Sequence, residues 1–377
     1  MTYQDEHRDE TPLWVQRRVS RGRLLRGAAA AGAGLSAASL LAACGSSASG
    51  SSSSGGSTEV IYSSWGGTWQ QAMQKAWFTP FENATGIKVT VTGPPDYGKI
   101  EAMVQANATE WDVAEIGPDF QWIGAQKGVL TPIDWNAVKK SNFVTGNPLL
   151  YTNNSVPQVL WASVITWRKD KIPTAPTTWA DLWDTRRFPG KRTFDASTLD
   201  DGSLEAALLA DGVAPKDLYP LNVDRALAKF DQIKSDILWF QSGSQMIQYF
   251  QSGEASIGFG WDGRIAILRS TGVPVDYTYD HSLSQWTDMV VPKGAPHADA
   301  AMKLLAYITQ AQPQAHVAEA SYYGPINPKA FQYIPTKMQS ELSGTPASLK
   351  TAVPIDWKWW SANYDSTYAK FTSWLNS

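Results

Sequence analysis

Beyond residue 58 the chain alternates between short runs in which every second position is apolar and longer ones in which apolar residues recur every third or fourth place. Glu59 to Ser63 predicts a strand that runs into Ser64-Trp65-Gly66-Gly67. Trp69, Ala72, Met73, Ala76, Trp77 and Phe81 then follow at helical spacing, with Pro80 marking the end of that helix. Ile87, Val89 and Val91 alternate as a strand should. Lys99 to Asn107 carries Ile100, Met103 and Val104 on one helical face, and Trp111 to Ile116 is the next strand, closed by Gly117-Pro118. This β-α-β-α-β order predicts a mostly parallel sheet with helices on both faces.

Val159 to Trp167 reads as a long apolar strand that carries the chain away from this first block. A second alternating block begins at Lys191. Ser203 to Leu209 and Asp224 to Ile237 predict helices, the latter capped by its Asp, and Ala255, Ile257, Phe259 and Trp261 alternate along a strand. Trp239-Phe240-Gln241-Ser242-Gly243-Ser244 falls at a helix start. Its backbone N–H groups could receive an anion, or Ser242 could simply cap the helix holding Met246, Ile247 and Phe250. Met289 to Val291 is a return strand, followed by a helix with Ala301, Leu304, Leu305 and Ile308 inward. A chain of 377 residues also exceeds what one core comfortably fills. The expectation is therefore two α/β lobes with a cleft between them. Residues 58–164 with 285–327 would form the first lobe, and 165–284 with 328–377 the second.

The first 43 residues follow a different pattern. Six arginines (Arg8, Arg17, Arg18, Arg21, Arg23, Arg26) precede an apolar run of Ala, Gly, Leu and Ser that ends in Leu41-Ala42-Ala43-Cys44. This is the layout of a secretory leader followed by a bacterial lipobox, whose cysteine is lipidated and becomes the mature N-terminus. Gly45 to Ser57 would then be a flexible Gly/Ser tether holding the body off an outer membrane face. The segment around Arg21 and Arg23 is similar to a twin-arginine signal, but Gly22 stands where its second arginine belongs, so both general and twin-arginine export stay open.

Composition narrows the chemistry. A net charge of −3 offers no footprint for nucleic acid. With Cys44 as the only cysteine and only four histidines, none in close metal-ligand spacing, zinc sites, thiol nucleophiles and serine triads have little to build on. No cofactor and no enzymatic activity are expected, and a monomer is. The unusual entry is 18 Trp, a side chain suited to gripping ligands.

Open α/β sheets bind ligands beyond the carboxyl ends of their strands. Here those ends carry Trp65 with its paired glycines, Asp119, and Trp261-Asp262-Gly263-Arg264. Arg264 could fork onto a ligand carboxylate or pair structurally with Asp262. Asp288, beside Trp286, could hold an ammonium or serve as a turn residue. Together Arg264 and Asp288 would suit a small zwitterion. Adjacent Tyr322 and Tyr323 could ligate ferric iron through phenolate oxygens, yet no His/Glu group accompanies them, and Tyr323 reads better as the wall of an organic-ligand pocket. A surface glycosidase using Asp119 and Asp288 as its acid and base is the competing class.

The lipobox, the tether, Trp65-Gly66-Gly67, Trp111-Asp112-Val113, Gly128 to Asp134, Leu208 to Val213, Ser252-Gly253-Glu254, Trp261 to Arg264 and Tyr323 to Lys329 together resemble the solute-binding lipoproteins of ABC importers, nearest to the spermidine/putrescine-type group. The resemblance covers most of the chain after Cys44. It implies a type II periplasmic-binding-protein fold that closes by hinge motion on a small solute, a polyamine or an amino acid like γ-aminobutyrate, and hands it to a membrane permease. It further implies an aromatic box of Trp65, Tyr97, Trp239, Trp261 and Tyr323, with Asp119 and Asp288 as ammonium partners. In the amino-acid subgroup a Trp-x-Gly-Arg motif supplies the carboxylate's arginine, here Arg264. Asp262 stands where many relatives carry Asn. A ferric-iron or sugar binder of the same fold is the alternative.

Overall fold

The computed structural model describes residues 59–143 and 152–377, so the leader, Cys44 and the tether lie outside the described residues. In chain order the elements are β1 (Glu59–Ser63), α1 (Gly67–Met73), α2 (Thr79–Thr85), β2 (Lys88–Thr92), α3 (Tyr97–Gln105), β3 (Val113–Ile116), α4 (Phe120–Gln126), β4 (Ser155–Arg168), β5 (Lys191–Asp195), α5 (Ser203–Ala210), α6 (Val223–Asp231), β6 (Ile237–Phe240), α7 (Gly243–Ser252), β7 (Ala255–Trp261), α8 (Asp262–Ser270), β8 (Val275–Val290), α9 (Ala298–Ile308) and α10 (Ala311–Ser321). The helix Trp357–Leu375 closes the chain.

The strands run β2-β1-β3-β8-β4-β7-β5-β6 across the sheet. The expected parallel block is present, since β1 pairs in parallel with both β2 and β3. The β5–β6 and β5–β7 pairs are parallel as well. Between the two blocks lie β4 and β8, long antiparallel strands paired from Ser155–Val290 to Arg168–Val275. One end of β8 pairs with β3 through Ala114–Ile116, and the far end of β4 pairs with β7 through Ser163–Trp167. Both strands therefore belong to both lobes. Of β4 only Trp161 is not buried, which is why its sequence reads as one apolar run.

Several elements differ from expectation for identifiable reasons. The first helical stretch does not stop at Pro80. It passes through a π turn (Gln74–Phe78) into α2, where Pro80 occupies the first turn and its missing N–H is not needed. The helix expected over 224–237 is capped by Asn222 and ends at Asp231. Trp239 and Phe240 belong to strand β6, with Ser242 capping α7. The expected return strand is the end of the much longer β8. Residues 328–342 touch both blocks: the Glu341 carbonyl accepts from the Tyr277 and Tyr279 hydroxyls at 2.7 and 3.0 Å, and its carboxylate pairs with Arg269 of α8 at 3.1 Å. Ala330, Ile334 and Leu342 bury themselves against Ala315 and Ala318 of α10, which in turn packs on the π turn of the first lobe.

The C-terminal helix does pack on the second lobe. Trp360 Nε1 donates to Glu205 Oε1 at 2.8 Å, and Trp374 Nε1 donates to Asp231 at 2.8 Å. Glu205 also accepts from the Tyr219 hydroxyl at 2.6 Å. No cation offsets its burial, which pushes its carboxyl from 4.5 up to about 7. The folded state thus holds a proton that the unfolded chain has released between those values. Its contribution to stability is complete below the unfolded pKa and is lost as pH rises through 7. Asp195 and Asp262, also raised by burial to about 7, add slopes of the same sign. The melting temperature should accordingly fall from pH 5 to pH 8. Glu205→Gln, which keeps an acceptor for both donors, should flatten that fall in a pH series of thermal melts; an unchanged slope would refute the assignment.

Candidate functional site

The first-lobe wall is set by the turn after β1. Gly66 and Gly67 stand at φ 78° and 65°, a region that side chains with a Cβ rarely adopt, and α1 starts at once. This abrupt turn puts Trp65 and Trp69 on the cleft. Glu115, fully buried at the end region of β3, accepts from the Trp65 backbone N–H at 2.7 Å and from Trp69 Nε1 at 2.8 Å. Trp69 meets Tyr323 edge-on, ring centroids 5.6 Å apart.

On the second lobe β7 ends at Trp261 and α8 begins at Asp262, which places Arg264 in the helix's first turn. A Cβ added at Gly243 would lie 2.7 Å from both the Arg264 guanidinium and the Trp261 ring, so only glycine leaves room for them. The guanidinium sits 5.5 Å from the Trp261 ring centroid, and Trp261 meets Trp161 edge-on at 6.4 Å. Asp262 does not neutralise Arg264. Its carboxylate turns into the core, accepting from Tyr279 Oη at 3.1 Å and from the Gly263 N–H at 2.8 Å. Residues two apart on a helix do not face each other. The ion pairs among the described residues leave Arg264 out. Burial raises the Tyr323 hydroxyl's pKa, and the neighbouring Arg264 charge draws it back down.

Two adjoining cavities, of about 130 and about 50 Å³, share Trp65, Trp161, Asp201 and Thr287 as common walls. Arg264, Trp69, Trp261 and Tyr323 line the larger one. Asp119, Asp200, Trp286 and Trp357 line the smaller one. Asp288 lines neither cavity; it follows the wall residue Thr287 on β8 and stands opposite Ile116 and Pro157 in the sheet. It is fully buried, and neither of its carboxylate oxygens has a hydrogen-bond partner. Burial drives its pKa well above the ordinary value and the Asp119 charge adds to the rise. The Trp286 indole opposes that rise, but its N–H closes no hydrogen bond either. Asp195, next to Asp201, is likewise raised by burial to about 7. The larger cavity thus carries a guanidinium and the smaller one is walled by several carboxyls, next to the unpartnered Asp288.

Of the residues singled out in the sequence, Trp65, Asp119, Trp261, Arg264 and Tyr323 stand in these walls, whereas Asp288 does not, being buried next to Thr287 and within electrostatic reach of Asp119. Tyr97 lies behind. Its hydroxyl donates to Asp119 Oδ1 at 3.0 Å, accepts from the Gly117 N–H at 2.9 Å, and its ring stacks on Phe120. Trp239 is elsewhere. On β6 it packs against Phe230, Phe371 and Trp374, centroids 5.2 to 6.0 Å away, and seals the C-terminal helix to the second lobe. Trp69, Trp161, Trp357, Thr287, Asp200 and Asp201 line the cavities without having been singled out. In the sequence Trp69 stands out only by its helical spacing, and its place four residues after Trp65 is the available signal. Trp161 sits in an apolar run with nothing to mark it. Among the described residues no cluster of three His, Cys, Asp or Glu is placed to hold a metal.

The family model for bacterial extracellular solute-binding proteins matches residues 76–344. The γ-aminobutyric acid-binding protein of Pseudomonas aeruginosa is 32% identical over 319 residues, 82% of this chain and 89% of that protein. The spermidine/putrescine-binding periplasmic protein of Escherichia coli is 25% identical over 273 residues, 68% of this chain and 75% of that one. Among solved structures, the Atu4243–GABA receptor superposes with a TM-score of 0.79 at 39% identity, covering 84% of this chain and 97% of its own. AgtB of A. tumefaciens R10, bound to agropinic acid, does so at 0.73 and 34%, covering 85% and 99%. With two lobes joined by shared strands and a cleft between them, the chain belongs to the bacterial extracellular solute-binding proteins that serve ABC importers.

Proposed function

We propose that the cleft captures a small ω-amino acid of the γ-aminobutyrate kind for import by an ABC permease. Arg264 would take the carboxylate in its planar fork. Asp288 and Asp119 would take the ammonium, and Trp65, Trp261 and Tyr323 would enclose the alkyl chain. The observation that carries this reading is Asp288, a buried carboxyl with two unpartnered oxygens at the other end of the cleft from a guanidinium outside any ion pair. Leaving such a group unpaired is costly unless something arrives to pair with it. The surplus of acids, with Asp200 and Asp201 added, favours a polyamine as the second reading. We place the exchange between lobes at β4 and β8. Cys44 is proposed as the lipid anchor on the outer membrane face, with the receptor working as a monomer that binds without converting its solute.

Isothermal titration of the body 58–377 should show γ-aminobutyrate binding that weakens about 30-fold or more in Arg264→Ala, since removing one partner of an enclosed charge pair costs at least 2 kcal/mol. Asp288→Asn should weaken it comparably. Trp239→Phe should lower the melting temperature yet leave Kd within about twofold, as expected of a residue that only packs. Putrescine binding that survives Arg264→Ala, with no γ-aminobutyrate response, would favour the polyamine reading.

Pairing with an ammonium lowers the raised pKa of Asp288, so capture should release a proton and affinity should fall as the pH is lowered. Binding heats measured in buffers of different ionisation enthalpy should reveal that release in the wild type and its loss in Asp288→Asn. Equal heats in every buffer would remove Asp288 from the ammonium site.

A further inference from the structure

We infer that Glu115 is a positioning residue of the cleft, clamping Trp65 and Trp69 from behind and tying them to the lobe-spanning strand β4 through Gln158. The inference rests on reading this cleft as the solute site.

The need for such a group starts in the turn after β1. The strand ends at Ser63, and the following glycines take the chain out of the sheet, so the Trp65 N–H has no strand acceptor. Glu115 Oε2 supplies one at 2.7 Å. Its other oxygen accepts from Trp69 Nε1 at 2.8 Å and from Gln158 Nε2 at 2.7 Å, with Tyr62 Oη at 3.4 Å. The Trp69 ring is held further by edge-on contacts with Trp77 and Tyr323, so its bond to Glu115 fixes the one remaining rotation.

Gln158 reaches this carboxylate because β4 is irregular there. Pro157 lies opposite Asp288 and Val159 opposite Thr287, leaving Gln158 as the extra residue of a bulge. Its side chain, freed from the alternation, turns to Glu115 and to Tyr62 Oη at 2.7 Å. Val159 and Trp161, just beyond the bulge, line the cavity. The groups bonded here to Glu115 all donate to it, an arrangement that suits the ionised carboxylate. Burial pushes its pKa up while these donors hold it down. An anion held directly behind two cleft tryptophans also favours a cationic solute at their exposed faces.

The test is a double-mutant cycle read by titration calorimetry. Glu115→Gln keeps the side chain's size but turns an amide N–H₂ toward donors, so one of the two tryptophans loses its hold. Affinity for γ-aminobutyrate should drop about tenfold, with the tryptophan fluorescence of the empty receptor altered. Trp69→Phe retains a ring but not the N–H, and should by itself weaken binding several-fold. Because either orientation of the new amide breaks the Trp69 bond or replaces its charged acceptor with a weaker neutral one, Glu115→Gln should cost at least threefold less in the Trp69→Phe background than in the wild type. A Glu115→Gln protein that melts lower but binds as tightly as the wild type would overturn the inference, as would fully additive losses. If Glu115→Gln does not fold, Trp69→Phe decides, and unchanged affinity there overturns it. A wild type that ignores γ-aminobutyrate and binds putrescine counts against the ligand reading alone, and the same cycle run with putrescine then judges Glu115.

Discussion

Everything in the cleft depends on two strands that refuse to end at a lobe boundary. β4 and β8 stay paired from Ser155–Val290 to Arg168–Val275, and their two register shifts fall on either side of Val159 to Ser163. The cavities open at that irregular middle, where Val159, Trp161, Trp286 and Thr287 line them. The same strands hold the second lobe's contribution in place. Ser163 Oγ and Gln285 Nε2 each donate to the Asp201 carbonyl at 2.7 Å, fixing the loop that carries Asp200 and Asp201 to the cleft. The Trp65 wall and the Arg264 wall are thus joined through this one strand pair.

The second feature is a deliberate imbalance of charge. Asp119, Asp200 and Asp288 gather at one end, with Asp201 on the wall the two cavities share and Asp195 behind it, and the pKa values of Asp195 and Asp288 are raised chiefly by burial. Other core carboxyls are better satisfied than Asp288. Asp112, for instance, accepts from the Ile61 and His297 backbone N–H groups at 2.7 and 2.6 Å. Asp288 has no such provision. Strongly perturbed groups gathered in a cleft are how binding sites differ from structural ion pairs, because stability is given up in the empty state and recovered when a ligand supplies the missing charge.

How much of this was legible in the sequence follows from how local each feature is. Strand alternation and helical spacing located most elements, and the Trp65 turn, Asp119, Trp261, Arg264 and Tyr323 all fell at strand or helix ends where a cleft forms. What escaped was set by distant pairing. Trp239 has the same local company as a cleft residue, but its partners Phe371 and Trp374 arrive from the far end of the chain. Glu115 was read only as part of a strand, since its role exists through Trp65, Trp69 and Gln158. The packing of residues 328–342 on α10 was not legible because their apolar positions name no partner until α10 is folded beside them. The lipobox leader, read from sequence alone, lies outside the described residues.

Asp262 and Arg264 show why proximity along the chain misleads and what specificity gains from the actual arrangement. On α8 the two residues diverge, the acid into the core toward Tyr279 and the arginine over Trp261 into the cleft. Had they paired, the cleft would hold only carboxyls and would welcome any short diamine. With the guanidinium outside any described ion pair, a diamine that seats one ammonium among the acids brings its other ammonium toward a like charge. An ω-amino acid brings a carboxylate to the same place. The repulsion is at least as discriminating as the attraction, since selectivity is a difference between two affinities and is widened by penalising the competitor. On that ground the role proposed for Arg264 is to turn a general amine trap into one that reads both ends of its solute.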